Sequence, residues 1–228
     1  MDYSYIEKNY ADISARIDKS KKCADATLLA VIKGADVDEI NYLTDVCGVR
    51  ELGENRVQQL LGRYDAIKRE GVNIHFIGKL QSNKVKYIID KVSLIHSLDT
   101  ESLAREIDRQ AKKHGIVADV LIEVNSGREE NKSGVLPEDL DEFFDKVKAY
   151  TNINVKGFMT MAPKCVEKED YRKYFRETYR LVLDIWSKKG DNIRGPILSM
   201  GMSGSFEVAL EEGSTLVRVG SALFKKEE

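Results

Sequence analysis

Short apolar runs rich in β-branched residues alternate with stretches of helical period along nearly the whole chain. After an N-terminal helical stretch over about residues 3–19, the pattern predicts strands near 27–33, 49–53, 74–78, 94–98, 119–125, 155–161, 197–201 and 215–220. Helical patterns lie between them near 37–46, 55–70, 82–91, 100–114, 137–149, 167–188 and 204–212. Strands separated by helices imply βαβ units and a parallel sheet. Eight of them match a (β/α)8 TIM barrel, a fold that typically takes about 250 residues. An open doubly wound sheet is the competing arrangement, and the absence of a GxGxxG run after the first strand weighs against it.

Local signals agree with the plan. Thr100-Glu101-Ser102-Leu103 opens one helix, and Gly115 stops it after the basic Lys112-Lys113-His114. Pro137-Glu138-Asp139 starts another with proline and acids in its first turn. No Pro/Ser-rich linker divides the chain, so residues 1–228 read as one domain.

Composition narrows the function classes. A net charge of −2 gives no overall attraction to nucleic acid. No apolar run approaches the ~20 residues of a membrane span, and the N-terminus lacks a basic, then apolar, leader. The expectation is a cytoplasmic protein without nucleic-acid or membrane partners. Cys23, Cys47 and Cys165 are scattered, with no CxxC pair and no metal-ligand spacing to a histidine. They read as reduced, packed thiols, and no metal site is expected.

The first strand, Thr27-Leu28-Leu29-Ala30-Val31-Ile32-Lys33, ends on a lone lysine followed by glycine. In a parallel barrel the loops after the strands carry function, so Lys33 stands at the functional mouth. An amine held there can form a Schiff base with an aldehyde. Two other strand ends look like an anion site. Gly201-Met202-Ser203-Gly204-Ser205 leads into a helix near Phe206-Glu207, and Gly220-Ser221 follows the eighth strand. Barrels often bind phosphate after strands 7 and 8, where glycines let backbone N–H groups approach a ligand. An ordinary capped helix start is the plainer alternative.

Arg218 lies inside the eighth strand, and an unpaired buried guanidinium is too costly to persist. It is either in an ion pair with an acid or a donor to an anion or ring nitrogen. Asn55 either caps the helix after it or serves the mouth. His75 and His96, each alone in a strand, read first as hydrogen-bonded core residues. The basic run Lys79 to Lys86 lacks interleaved aromatics and reads as a solvated loop and helix start.

Several segments together resemble a known family. They are Ala30-Val31-Ile32-Lys33, Gly53-Glu54-Asn55-Arg56-Val57-Gln58, His75-Phe76-Ile77-Gly78-Lys79-Leu80-Gln81-Ser82-Asn83-Lys84, Asn125-Ser126-Gly127, Lys132-Ser133-Gly134-Val135, Met159-Thr160-Met161, Leu198-Ser199-Met200-Gly201-Met202-Ser203 and Val217-Arg218-Val219-Gly220-Ser221. In this order they look like the pyridoxal-phosphate homeostasis proteins, single-domain relatives of the alanine-racemase barrel. The resemblance implies a barrel of that type with an extra N-terminal helix, binding pyridoxal 5'-phosphate (PLP). It places the cofactor's aldimine on Lys33. It puts the phosphate-binding loops at Met202, Ser203, Gly220 and Ser221, the ring-nitrogen contact at Arg218, and Met200 and Gly201 among the cofactor-binding residues. Asn55 falls beside the cofactor and His75 in the family's strand-3 motif. Ile32 and Gly34-Ala35-Asp36 depart from the serine or threonine before the lysine, and the Thr-Lys-Pro-like residues after it, of many relatives.

The function so implied is intracellular PLP homeostasis: a monomer that stores the cofactor and delivers it to apo-enzymes, with no catalytic residues of its own. The alternative is a PLP-dependent amino-acid racemase or decarboxylase of the same barrel type. Such relatives generally add a second domain, and the chain ends at Glu228, a few residues past the eighth strand, which favours the carrier. A third possibility is a barrel enzyme whose Lys33 forms a Schiff base with a phosphorylated substrate.

Overall fold

The computed structural model describes residues 2–23, 26–190 and 195–226. Eight parallel strands close into a barrel in sequence order: β1 (Thr27–Val31), β2 (Glu51–Glu54), β3 (Asn73–Phe76), β4 (Leu94–Leu98), β5 (Ala118–Val124), β6 (Ile153–Thr160), β7 (Ile197–Met202) and β8 (Leu216–Val219). β8 returns to β1 with Leu29 opposite Arg218, so no edge strand is left open. The helices are α1 (Ser4–Ser20), α2 (Val37–Asp45), α3 (Val57–Arg63), α4 (Glu101–His114), α5 (Leu140–Lys148), α6 (Tyr171–Lys189) and α7 (Phe206–Glu211). Among the described residues no helix is long and apolar enough to cross a membrane.

All eight expected strands are present, and α1 is the expected N-terminal helix. Four helical stretches differ. The pattern at 82–91 forms a 3-10 helix over Ser82–Tyr87. Its apolar members Val85, Ile88 and Ile89 still seal the core, but the Lys84 and Ile88 N–H groups bond to the third residue back, Gln81 and Val85. The 55–70 stretch is helical only to Arg63, and the rest unwinds into turns before Gly71 in the left-handed region. Residues 137–139 and 168–170 are single 3-10 turns leading into α5 and α6.

Strand alternation divides the apolar residues into two layers. Ala30, Ile32, Leu52, Val217 and Val219 face outward and join Ile6, Ile13, Ile40 and Leu43 of α1 and α2 in one cluster. Phe76, Ile122, Phe158 and Met200 join α4, α5 and α6 in a second, where the Phe144 and Phe158 rings stack 5.8 Å apart. The barrel interior is partly apolar, through Leu94, Leu121 and Met159. The remainder of it is polar, and there the site begins.

Candidate functional site

Lys33 lies two residues past β1 on the same face as Leu29 and Val31, which places it at the rim of the C-terminal mouth, exposed to solvent. The backbone around it is held tightly. Gln59 Nε2 donates to the Lys33 carbonyl at 3.2 Å. Arg63 donates to the carbonyls of Ile32 and Ala35 at 3.0 and 3.1 Å. Arg63 is in turn paired with the fully buried Glu54, whose other oxygen accepts the N–H groups of Asn55 and Arg56. Just beyond, Asp36 forms a capping box with Glu39 at the start of α2. The unusual Gly34-Ala35-Asp36 segment is therefore a tight turn into a capped helix.

Asn55 does not cap α3. The residue at that position is Arg56, with no side-chain cap bond. The Asn55 Oδ1 is instead buried without a hydrogen-bond partner among the described residues. Its backbone lies so close to Gly78 that a Cβ there would fall 2.0 Å from the Asn55 carbonyl oxygen, which only glycine permits.

Arg218 lies in β8 and is 4% exposed. One guanidinium nitrogen donates to both the carbonyl and the hydroxyl of Ser199 at 2.7 Å, and the other to the Thr160 carbonyl at 2.9 Å. None of these acceptors is a carboxylate, so the ion-pair reading of Arg218 does not hold among the described residues. Burial lowers its pKa to about 10, with the Glu123 charge opposing that shift, so it remains a cation at neutral pH.

His75 and His96 extend this arrangement across the barrel. His96 Nδ1 lies 3.1 Å from the Ser199 hydroxyl, His96 Nε2 lies 2.9 Å from His75 Nδ1, and His75 Nε2 lies 2.7 Å from Glu51 at the barrel floor. Burial first, then the neighbouring His75 and Arg218, hold His96 well below its ordinary pKa, so it is neutral. If both rings carry a single proton, only one assignment satisfies every contact. Arg218 donates to Ser199, Ser199 to His96, His96 to His75, and His75 to the Glu51 carboxylate. Burial works against the Glu51 charge, but bonds from His75 and Asn73 outweigh it and its pKa falls below the ordinary carboxylate range. Sequence reasoning read the two histidines as bonded core residues. It gave no sign that they meet each other or Arg218, because their partners lie 21 and 103 residues away.

The expected anion loops meet at the mouth. The Ser203 hydroxyl lies 3.4 and 3.5 Å from the backbone N–H groups of Gly220 and Ala222. A Cβ on Gly220 would fall 2.7 Å from the Val31 carbonyl oxygen, so a glycine is required for this loop to lie against β1. Ser205 makes no cap bond to the short α7, and its hydroxyl accepts the Met202 N–H instead. The donors available to an anion are thus loop amides and the Ser203 hydroxyl. Gly201 is buried at the bend into α7, and Met202 and Ser221 are exposed at the rim. Met200 points away from the mouth into the outer core layer.

Glu123 carries no local signal that would single it out. It projects into the barrel from β5, 5% exposed, and lines a cavity of about 400 Å³ at the mouth. Burial, reinforced by Asp99 and opposed by Arg218 and Lys79, pushes its pKa up to about 7.

A closed parallel barrel with a lysine after its first strand and an arginine inside its last one defines a class. The family described as alanine racemase, N-terminal domain, matches residues 1–228. The pyridoxal phosphate homeostasis protein of Aquifex aeolicus is 51% identical over 209 residues, 92% of this chain and 90% of that one. The chain belongs to this family of pyridoxal phosphate homeostasis proteins. Among solved structures, an unknown protein from Bifidobacterium adolescentis superposes with a TM-score of 0.88 at 32% identity, over 97% of this chain and 94% of the other. PipY of Synechococcus elongatus, solved with PLP bound, superposes with a TM-score of 0.83 at 27% identity, over 96% of this chain and 100% of its own.

Proposed function

We propose that this chain binds pyridoxal 5'-phosphate at the C-terminal mouth of its barrel and acts in PLP homeostasis, holding the cofactor and handing it to apo-enzymes. The observation that carries the reading is Arg218, a buried cation hydrogen-bonded among the described residues by neutral acceptors, beneath a mouth that also presents Lys33 at the end of β1 and a hydroxyl–amide cradle. The site fits the cofactor on further grounds. Asn55 Oδ1 is a buried acceptor awaiting a donor, and the Gly220 loop has no room for a side chain.

In this reading Lys33 holds the cofactor covalently through Nζ. Met202, Ser203, Gly220 and Ser221 receive the phosphate, and Asn55 lies beside the ring. Met200 and His75 act through the backbone and the polar row rather than by contact. Arg218 would donate to the ring nitrogen, and a group that can only donate favours an unprotonated ring. When bound, PLP supplies an electron sink, and an unprotonated ring is a weaker one. That restrains carbanion chemistry and suits a carrier over a racemase or decarboxylase. The protein would work as a monomer in the cytoplasm, within one barrel domain spanning 1–228.

Absorbance of the protein mixed with PLP, followed by borohydride reduction and mass mapping, tests this. A visible band and a reduced adduct on Lys33 are expected, and both vanish in Lys33→Ala. An adduct that persists in the variant would refute the assignment. Delivery is tested by recovery of an apo-enzyme's activity, beside a search for turnover with a panel of L-amino acids.

A further inference from the structure

Among the described residues the buried carboxylates have partners, with one exception. Glu54 is met by Arg63 and two backbone N–H groups, Glu39 by Tyr5 and the Asp36 N–H, and Glu212 by Arg172 and Arg176. Among the described residues no hydrogen bond or ion pair within contact distance is made by the Glu123 side chain, although it is as buried as they are. An unpaired carboxylate in such a place is costly unless it is protonated or a ligand completes it. Glu123 does not face sealed core. It lines the cavity of about 400 Å³ at the mouth, together with Asn125, Met161, Tyr171 and Met202. That volume suits a small molecule or a single extended side chain.

The position adds meaning. β1 and β5 stand four strands apart in a ring of eight, so Lys33 and Glu123 come from opposite sides of one mouth. The charged groups facing Glu123 are Asp99 after β4, Lys79 after β3 and Arg218 in β8, and the cavity rim adds Glu129, Lys132 and Lys164. The three lysines are exposed and water-screened, whereas the carboxyl lies where charge is poorly screened. A cation that enters is therefore favoured at depth and disfavoured at the rim, unless it brings an anion of its own.

We propose that this cavity is the entry site for a primary ammonium, and that the Glu123 carboxylate is the counter-ion that receives it and takes its proton. The proton-taking role rests on the reading of Lys33 given above, whereas the binding does not. An ammonium cannot attack a carbon until it gives up a proton. Glu123 accepts that proton and becomes a carboxylic acid. With the cofactor carbon double-bonded to Lys33 Nζ, the freed amine forms a C=N bond to that carbon as the C=N bond to Nζ breaks. The amine's two remaining hydrogens pass to Nζ, and the proton held on Glu123 follows, leaving Lys33 as an ammonium and Glu123 as a carboxylate, so charge and hydrogens balance without any other reactant. A carboxyl titrating near neutrality suits both halves of this exchange.

Two measurements test it. In the first, full-length Lys33→Ala protein carrying carboxyl-labelled glutamate is titrated at pH 8 with n-butylamine and with norleucine, and followed by NMR. Both should bind and shift the Glu123 carboxyl signal. Glu123→Gln in the same background should weaken both by tenfold or more, and so should lowering the pH to 5. Tighter binding of norleucine marks a free amino acid as the natural source, and tighter binding of n-butylamine marks a protein lysine side chain. Affinity unchanged by Glu123→Gln, or undiminished at pH 5, overturns the proposal. In the second, protein loaded with PLP is challenged with n-butylamine and the release of cofactor is timed. Glu123→Gln should slow release by at least tenfold, and an unchanged rate overturns the proton-taking role. If loading on Lys33 fails while the ammonium still binds, the homeostasis reading falls and the ammonium site stands.

Discussion

Arg63, at the end of α3, fixes the backbone of Lys33 through its bonds to the carbonyls of Ile32 and Ala35 on either side. The same guanidinium neutralises Glu54, whose side chain has no solvent exposure. Removing one partner of such a pair leaves a buried charge alone, and typically costs about 3–5 kcal/mol. Arg63→Met should therefore lower stability in urea by that order and slow capture of PLP by Lys33. Adding Glu54→Gln should restore much of the stability without restoring capture. Full recovery of both would mean that the carbonyl bonds do not position the lysine.

Ser203→Ala tests the anion cradle. The hydroxyl now lying against the Gly220 and Ala222 amides is lost, and PLP binding should weaken by about 1–2 kcal/mol, the scale of a bond to a charged group. Pyridoxal, which lacks the phosphate, should bind far more weakly than PLP to the wild type and be nearly indifferent to the substitution. Equal affinity for the two compounds would contradict the assignment of these loops.

His96 predicts a pH dependence with a definite sign. Its pKa is depressed in the fold, chiefly by burial, so the unfolded chain binds more protons than the folded one below the ordinary 6.5. The group's contribution to stability is fully present above that pH and is lost as the pH falls, with a limiting slope of about 1.4 kcal/mol per pH unit. Denaturation of the wild type and of His96→Gln should diverge in slope below about pH 6.5. Parallel curves there would show that His96 charges freely in the folded state.

Glu123 predicts the opposite trend. Its folded pKa is raised from 4.5 to about 7, so the folded chain binds the extra proton between those values and stability declines as the pH rises through that window. The full effect is about 3 kcal/mol, an upper bound set by the shift. Glu123→Gln should be nearly neutral near pH 4 and stabilising at pH 8. A variant less stable than wild type at pH 8 would mean the carboxylate has a partner after all.

What was legible in the sequence followed from local periodicity. The eight strands, the Thr100 cap and the Gly115 stop depend on residues a few positions apart, and they appear where expected. The stretch at 82–91 has helical spacing of its apolar residues, but spacing alone does not separate an α-helix from a 3-10 helix. At the mouth, Lys33 and Ser203 could be found because strand-ending residues in a barrel are displayed together. The His75–His96 contact could not, since it depends on the register of β3 with β4 and on which face each strand turns inward. Glu123 was hidden for a different reason. A glutamate in an apolar strand reads as an outward polar residue until closure of the barrel shows that it points in.

The polar row from Arg218 to Glu51 makes residues from β2, β3, β4, β7 and β8 answer to one another. A guanidinium can only give hydrogens and a carboxylate can only take them, so the two ends dictate every hydrogen between. Change the kind of group at either end and each singly protonated ring must exchange its tautomer or lose a bond. Effects of substitution along the row will therefore not add. A histidine moved alone into a related barrel, or an Arg218 replaced while Glu51 stays, breaks a sentence in the middle. For anyone redesigning this barrel, the five residues are a single heritable word, to be rewritten together or left alone.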